Sequence, residues 1–177
     1  MKPETLHIRY TIAFAAVVLL FAGCAIPFDE TIDAEKVTLT NNQGYVETAV
    51  EIPGEARDPA LNYSNIEFRY TVTAHDLKLN TGDKIDVALY VSSDTAPDDS
   101  RTAPGEGFEQ IFSISVDSAT DVSGTASSDL MVQILNDRQE SFVIAADIEN
   151  ELAENLITSG TIDIDLELHI EGEINPL

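Results

Sequence analysis

Apolar and polar residues alternate along most of the chain beyond residue 35. In segments 66–75 and 161–171 the even-numbered residues are apolar, and the odd-numbered residues are polar or charged. A period of two is typical of a β-strand that buries one face and exposes the other. We therefore expect the even-numbered side chains to face a core; they are Ile66, Phe68, Tyr70, Val72, Ala74, Ile162, Ile164, Leu166, Leu168 and Ile170.

Similar patterns predict further strands elsewhere in the chain. The run 85–92 is apolar enough to be a central strand, whereas "NNQG" and "NDRQE" are typical of hairpin loops. These two loops predict hairpins, the first joining 36–40 to 45–52 and the second joining 130–135 to 141–148. Residues 110–116 also fit a strand, and residues 150–157 are the only segment with a helical pattern.

Seven or eight strands with little helix predict an all-β fold, most simply an antiparallel β-sandwich. An immunoglobulin-like arrangement is one such sandwich, and an up-and-down barrel is the structural alternative. A transmembrane barrel is disfavoured, because seven Phe, five Tyr and no Trp do not supply the aromatic girdles it needs. Within the last strand, Gly172 should mark a bulge or the end of strand pairing.

The N-terminal segment has a different character from the rest of the chain. Lys2 and Arg9 precede residues 10–23, which carry no charge, and the sequence "LFAG" then leads into the only cysteine, Cys24. An uncharged run of about 7–15 residues behind a positive segment is typical of the apolar part of a signal peptide. The pattern indicates an exported protein.

Residues 1–24 resemble the lipobox-type signal peptide of bacterial lipoproteins, because "LFAG" stands directly before Cys24. The resemblance implies a diacylglyceryl group on the Cys24 sulfur, cleavage between Gly23 and Cys24, and acylation of the new N-terminus. Phe21 occupies a position where such signals most often have Leu. Because Ala25 rather than Asp follows the cysteine, the resemblance implies delivery to the outer membrane in bacteria that have two membranes.

The alternative interpretation is an uncleaved signal anchor. The uncharged run extends through Cys24 to Phe28, which approaches the roughly 20 residues of a membrane-spanning helix. Gly23 and Pro27 weaken such a helix, and an anchor leaves the position of the cysteine unexplained. We expect a signal peptide over residues 1–23, a lipidated cysteine with an acidic tether over 24–34, and a β-sandwich domain over 35–177.

The charge of the chain is strongly negative. With 32 acidic and 9 basic residues, the formal net charge is −23. This balance excludes a nucleic-acid-binding protein, which needs clustered Lys and Arg, and it disfavours adsorption of the domain to anionic lipid. A repulsive, well-hydrated surface that maintains solubility is the simpler interpretation, and adaptation to high salt is the alternative.

Motifs for catalysis are absent from the sequence. It contains no G-x-S-x-G, H-E-x-x-H, Walker or G-x-G-x-x-G motif. His75 and His169 are the histidines that follow Cys24, and we expect both to be ordinary surface residues. Asp163 and Asp165 share one face of the last strand, as a glycosidase pair would, but a solvated acidic face of an edge or surface strand explains them more simply.

The segment 92–109 is a long loop rich in Pro and Asp. Loops of this length in compact domains tend to be functional or disordered. Its carboxylates are of the kind that Ca²⁺ accepts, but their spacing is not that of an EF-hand. We therefore expect a mobile loop without a bound metal, and the weak calcium candidates are Asp94, Asp98, Asp99, Glu106 and Glu109.

Together these features predict a lipoprotein of the bacterial cell envelope. Its domain would be non-catalytic and without a cofactor, and it would bind another protein, a glycan or a surface component. The alternative is a hydrolase that uses a carboxylate pair or a loop-bound metal.

Overall fold

The computed structural model describes residues 26–40, 44–79, 84–148 and 157–174. These residues form eight strands, one α-helix (α1) and one 3-10 helix at Gly54–Arg57, which confirms the predicted all-β sandwich. No helix among them has both the length and the apolar character needed to cross a bilayer. The elements in addition to the 3-10 helix are β1 (Ile26–Thr40), β2 (Tyr45–Glu51), β3 (Leu61–Leu79), β4 (Ile85–Ser92), β5 (Phe108–Val116), β6 (Asp121–Ser127), α1 (Asp129–Asn136), β7 (Ser141–Ile148) and β8 (Ile157–Ile174).

The strands form two four-stranded antiparallel sheets. Sheet A has the order β1-β8-β3-β6, and sheet B has the order β2-β7-β4-β5. The strands pair as β1 with β8, β2 with β7, β3 with β6 and β4 with β5. These pairings are nested, as they are when one long hairpin folds over on itself. This arrangement is a jelly roll, so the immunoglobulin-like order considered from the sequence is not the one found.

The first predicted hairpin was wrong, because β1 and β2 belong to different sheets. β1 pairs instead with the distant β8, from Ile26 opposite Ile174 to Thr40 opposite Thr161. The composition of a loop shows that the chain turns there, but it does not determine which strands pair. The predicted loop residues 41–43 lie outside the described part of the chain.

The second predicted hairpin was also wrong, because residues 130–135 lie in α1 rather than in a strand. Met131, Ile134 and Leu135 are buried, and their spacing of three and four residues places them on one face of a helix. Ser128 caps this helix by accepting a hydrogen bond from the Met131 backbone N–H. A short apolar run suits a strand or a helix equally well, and here the cap and the spacing favour the helix.

The folded domain begins earlier than predicted. Residues 26–33 belong to β1 and pair with residues 167–174, so from Ile26 onward the predicted tether is part of sheet A. Because the segment is acidic, the sequence did not predict a strand there. Gly23 and Cys24 lie outside the described residues, as does most of the predicted helical segment 150–157.

The core lies between the two sheets, as the alternating pattern predicted. Ile66, Phe68 and Val72 of β3 are buried, and the five even-numbered apolar residues 162–170 of β8 are buried opposite sheet B. Tyr70 is partly buried and stacks on Phe112 of sheet B, with 3.9 Å between the ring centroids. Each fully buried large apolar side chain contributes roughly 1.5–3 kcal/mol to the free energy of unfolding.

The bulge expected at Gly172 is present, although the extra residue belongs to the neighbouring strand. β3 places both Ser64 and Asn65 opposite Glu171, and pairing continues beyond Gly172 on both sides of β8. A Cβ atom at Gly172 would collide with the backbone oxygen of Asn62. A glycine is therefore required by the close approach of the two strands.

Candidate functional site

The outer face of sheet A carries four of the residues that the sequence suggested for chemistry, namely His75, Asp163, Asp165 and His169. The odd-numbered side chains of β8 point to this face, and the pairing aligns them with polar residues of β1 and β3. β8 lies between β1 and β3, so its acidic residues occupy the middle of the sheet. The sequence left open an edge or a surface strand, and β8 is a surface strand in the interior of its sheet.

A recess of about 560 Å³ crosses β8, β3 and β6 on this face. Its polar lining offers one guanidinium, two carboxylates and four hydroxyls, which together can donate and accept hydrogen bonds. Thr71 Oγ1 and Ser123 Oγ lie 2.9 Å apart within it. Neither His75 nor His169 lines this recess, whose polar residues are Arg69, Tyr70, Thr71, Ser123, Thr125, Asp165 and Glu167.

Asp163 is the centre of a hydrogen-bonded group beside the recess. Its carboxylate accepts a hydrogen bond from Thr38 Oγ1 at 2.8 Å, and it lies 2.7 Å from Lys36 Nζ and 3.2 Å from His75 Nε2. Burial, the largest single effect, raises the pKa of Asp163. The hydrogen bonds from Lys36 and Thr38 and the nearby positive charges outweigh burial, so the pKa lies below its ordinary value.

The predicted carboxylate pair is divided between two environments. The Asp163 side chain is 13% exposed and bonded to Lys36, whereas the Asp165 side chain is 56% exposed and 4.0 Å from the same lysine. A glycosidase pair needs one carboxylic acid that stays protonated and one carboxylate that stays ionised. The contacts of Asp163 favour its ionised form, so the geometry supports an ion-pair role for this residue.

His169 lies near the other end of sheet A, between two carboxylates. Its Nδ1 atom is 3.4 Å from Asp29 Oδ1, and its Nε2 atom is 3.6 Å from Glu171 Oε1. We expected His169 to be an ordinary surface residue, but its side chain is only 14% exposed. Asp29 was missed as a neighbour because residue 29 had been assigned to the tether.

In the loop between β4 and β5, Arg101 gathers acidic side chains from two elements. Its Nη1 atom lies 2.8 Å from Asp94 Oδ2 and 3.2 Å from Glu47 Oε1, and its Nε atom lies 3.6 Å from Asp98 Oδ2. Glu47 belongs to β2 and its side chain is only 3% exposed. Tyr45 donates a hydrogen bond to Glu47, and burial, together with that bond, raises the pKa of Tyr45.

The five calcium candidates therefore occupy different places. Asp94 and Asp98 meet at the Arg101 guanidinium, which already supplies the positive charge there. Glu109 accepts hydrogen bonds from Ser128 Oγ and from the Leu130 backbone N–H at the start of α1. Asp99 and Glu106 are exposed on the loop. Sequence reasoning missed Glu47, because nothing local to β2 indicates that the distant loop folds over it.

Comparison with known proteins gives no family. No protein-family model and no curated protein matches the chain. Among solved structures, recombinantly expressed latent aurone synthase (polyphenol oxidase) is 14% identical with a TM-score of 0.34, and the match covers 78% of this chain and 26% of that chain. Latent aurone synthase from its natural source is 15% identical with a TM-score of 0.32, and the match covers 77% of this chain and 26% of that one.

A structure of Desmodium yellow mottle tymovirus is 12% identical with a TM-score of 0.34, and the match covers 100% of this chain and 96% of that one. Similarities as low as these carry no argument about the family or function of the chain.

Proposed function

We propose that the protein is an exported lipoprotein, anchored in the bacterial cell envelope through Cys24, with a non-catalytic jelly-roll domain that binds an envelope component. The observation that carries the anchor is the sequence "LFAG" directly before Cys24, behind an uncharged run. Several acyl chains would attach the protein stably, since a single chain gives only marginal membrane binding.

The start of β1 supports an anchor that holds the domain close to the membrane. Ile26, the first residue of sheet A, is two positions from Cys24, which is about 7 Å of extended chain. The end of sheet A that contains Ile26 and Ile174 would then face the bilayer. Ile26 is 59% exposed, so an apolar side chain stands where lipid contact is expected.

The recess on the outer face of sheet A is the proposed binding surface. Its hydroxyls, carboxylates and single guanidinium suit a polar ligand such as an envelope glycan or a polar protein surface. Within the described residues, the recess gathers neither histidine, and Asp163 beside it is held by Lys36. These features favour binding over hydrolysis.

Mass spectrometry of the protein purified from its own membranes tests the anchor. We expect a mature chain that begins at Cys24 and carries acyl chains. The variant Cys24→Ser should lose the acyl chains, and Ala25→Ser is the matched control that should keep them. An unmodified thiol with residues 1–23 still attached would contradict the proposal.

A binding comparison tests the recess. The probe is the native, membrane-bound protein mixed with purified envelope polysaccharide, and then with solubilised envelope proteins. We expect Arg69→Gln to weaken binding, because Arg69 supplies the only cation among the described residues that line the recess. Lys78→Gln, which removes an exposed charge from the same strand away from the recess, is the control. Equal binding by both variants would exclude the recess.

A further inference from the structure

Three side chains that commonly bind metals meet on the outer face of sheet A, close to the start of β1. The pairing places Asp29 directly opposite Glu171, and His169 lies two residues away on the same face of β8. One ligand atom from each of the three lies within 4.8 Å of the others. We propose that Asp29, His169 and Glu171 bind a divalent transition-metal ion, with Zn²⁺ as the representative.

The existing contacts of His169 leave room for an ion. Its nitrogens lie 3.4 and 3.6 Å from the two carboxylates, and Nδ1 is 3.4 Å from Thr31 Oγ1. All three distances exceed the 2.7–3.2 Å typical of a good hydrogen bond. The imidazole is thus held among oxygen atoms, at 14% exposure, without a short bond that an ion would have to break.

The carboxylate groups around Asp163 and Glu47 differ from this one because each already holds a cation. Asp163 is bound to Lys36, and Glu47 is bound to Arg101. In the described part of the chain, the ion pairs of Asp29 and Glu171 are both with His169. A bound metal ion would supply the positive charge that a lysine or arginine supplies in the other two groups.

A neighbouring side chain orients Glu171 as metal sites require. Asn65 Nδ2 donates a hydrogen bond to Glu171 Oε2 at 3.2 Å, and the other oxygen, Oε1, faces His169. The bulge at Ser64 makes Asn65 the partner of Glu171. Bulges often redirect a side chain next to a functional site, and hydrogen bonds to a ligand tune its affinity for metal.

The ligand types select the class of metal. One imidazole nitrogen and two carboxylate oxygens suit Zn²⁺ and similar ions, whereas Ca²⁺ and Mg²⁺ prefer oxygen atoms alone. One imidazole nitrogen binds the ion, so the carboxylate that now lies beside the other nitrogen must turn toward it. With bonds of about 2.0–2.2 Å, tetrahedral ligand atoms lie about 3.4 Å apart, so atoms now separated by up to 4.8 Å must move closer. Asp29 is 70% exposed and can rotate, and water can fill the fourth position. Glu67, opposite His169 on β3, adds negative charge nearby.

Zinc titration of the full-length chain in non-ionic detergent tests the site. All proteins carry Cys24→Ser, which removes the only thiol and makes the test independent of the proposed lipid anchor. We expect one Zn²⁺ per chain by calorimetry, retained in a large excess of Mg²⁺. His169→Gln and Asp29→Asn should each raise the Kd at least about tenfold, as expected for the loss of a ligand.

The matched control is His75→Gln, because His75 is the other described histidine that contacts a carboxylate. This variant should leave the Kd unchanged, and circular dichroism should show that all variants are folded. Any of four results would overturn the proposal. They are no stoichiometric zinc binding, displacement of zinc by Mg²⁺, a Kd that His169→Gln does not raise, or a Kd that His75→Gln raises equally.

Discussion

At the scale of residues, the shielded carboxylates of this acidic protein are paired. Glu47 is 3% exposed and contacts Arg101, and Asp163 is 13% exposed and contacts Lys36. A shielded carboxylate without a partner would lose its hydration without gaining a hydrogen bond or ion pair to compensate. Among the charged residues, these two groups are therefore the places where we expect a single substitution to affect stability most.

Replacement of Asp163 by Asn should destabilise the protein in a pH-dependent way. We expect a loss of about 1–2 kcal/mol in the free energy of unfolding at pH 7, because hydrogen bonds to a charged group are lost. The folded-state pKa of Asp163 lies below 3.8, so its stabilisation is present above pH 3.8 and disappears as the pH falls through the folded value. Urea unfolding at pH 7, 5 and 3 measures this.

Asp165→Asn is the control, because Asp165 is on the same face but 56% exposed. This substitution should lower the free energy of unfolding by less than about 0.5 kcal/mol. A loss in Asp163→Asn that is the same at pH 3 as at pH 7 would contradict the assignment of this effect to the carboxylate charge.

Replacement of Arg101 by Gln should have a larger effect. The change leaves Glu47 buried without its cation, and breaking a buried ion pair costs about 3–5 kcal/mol. Because Arg101 is itself 29% exposed, we expect a loss of stability smaller than that of a fully buried pair, measured by chemical denaturation at pH 7. Glu140→Gln, which removes an 86% exposed partner of Arg57, should cost less than about 0.5 kcal/mol. Similar costs for both variants would show that the Glu47 pair contributes little.

At the scale of elements, α1 depends on contacts at its first turn. Ser128 accepts a hydrogen bond from the Met131 N–H, and Glu109 of β5 accepts one from the Leu130 N–H. A carboxylate near a helix N-terminus also interacts favourably with the helix dipole. The helix is therefore attached to sheet B at its start, in addition to packing through its apolar face.

Replacement of Ser128 by Ala should destabilise the protein by about 1 kcal/mol. The Ser128 hydroxyl is the helix cap, and Ser-to-Ala changes at caps cost roughly 0.5–2 kcal/mol. Thermal unfolding of this variant beside Ser127→Ala, an exposed serine at the end of β6, measures the difference. If both variants have the same melting temperature, the cap does not stabilise the helix measurably.

At the scale of the whole molecule, the charge of −23 acts on the folded state as a unit. Rows of acidic residues on β8 concentrate this charge on the outer face of sheet A. Like charges in a compact state repel each other, and salt weakens that repulsion because the Debye length falls from about 10 Å at 0.1 M to about 3 Å at 1 M.

The melting temperature should therefore rise as NaCl is added. Each kcal/mol of repulsion removed corresponds to roughly 2–4 °C for a domain of this size. Differential scanning calorimetry from 0.05 to 1 M NaCl measures the rise, and sucrose solutions of matched osmolality provide an uncharged control. A melting temperature that does not respond to NaCl would exclude adaptation to high salt as the meaning of the charge.

The sequence by itself determined which residues face the core. The alternation in segments 66–75 and 161–171 identified their inward positions correctly, because the side chains of a strand point to opposite faces in turn, whatever strand lies beside it. Beyond those segments, the same two strands bury three further residues that were not predicted, namely Tyr63, Leu77 and Ile157. That local rule was enough to predict the all-β class and segments of seven of the eight strands, but not β6 (Asp121–Ser127) or the first part of β1. It failed at residues 130–135, because a short apolar run fits a helix as well as a strand.

Only the tertiary structure decided which strands are neighbours. Residue 29 lies beside His169, and Glu47 lies beneath Arg101, because strands and loops distant in sequence meet there. No local pattern specifies such contacts, since pairing depends on the register and burial of the whole sandwich. The sequence therefore indicated a sandwich with an acidic face, and the fold determined the jelly-roll order and the grouping of charges on its surface.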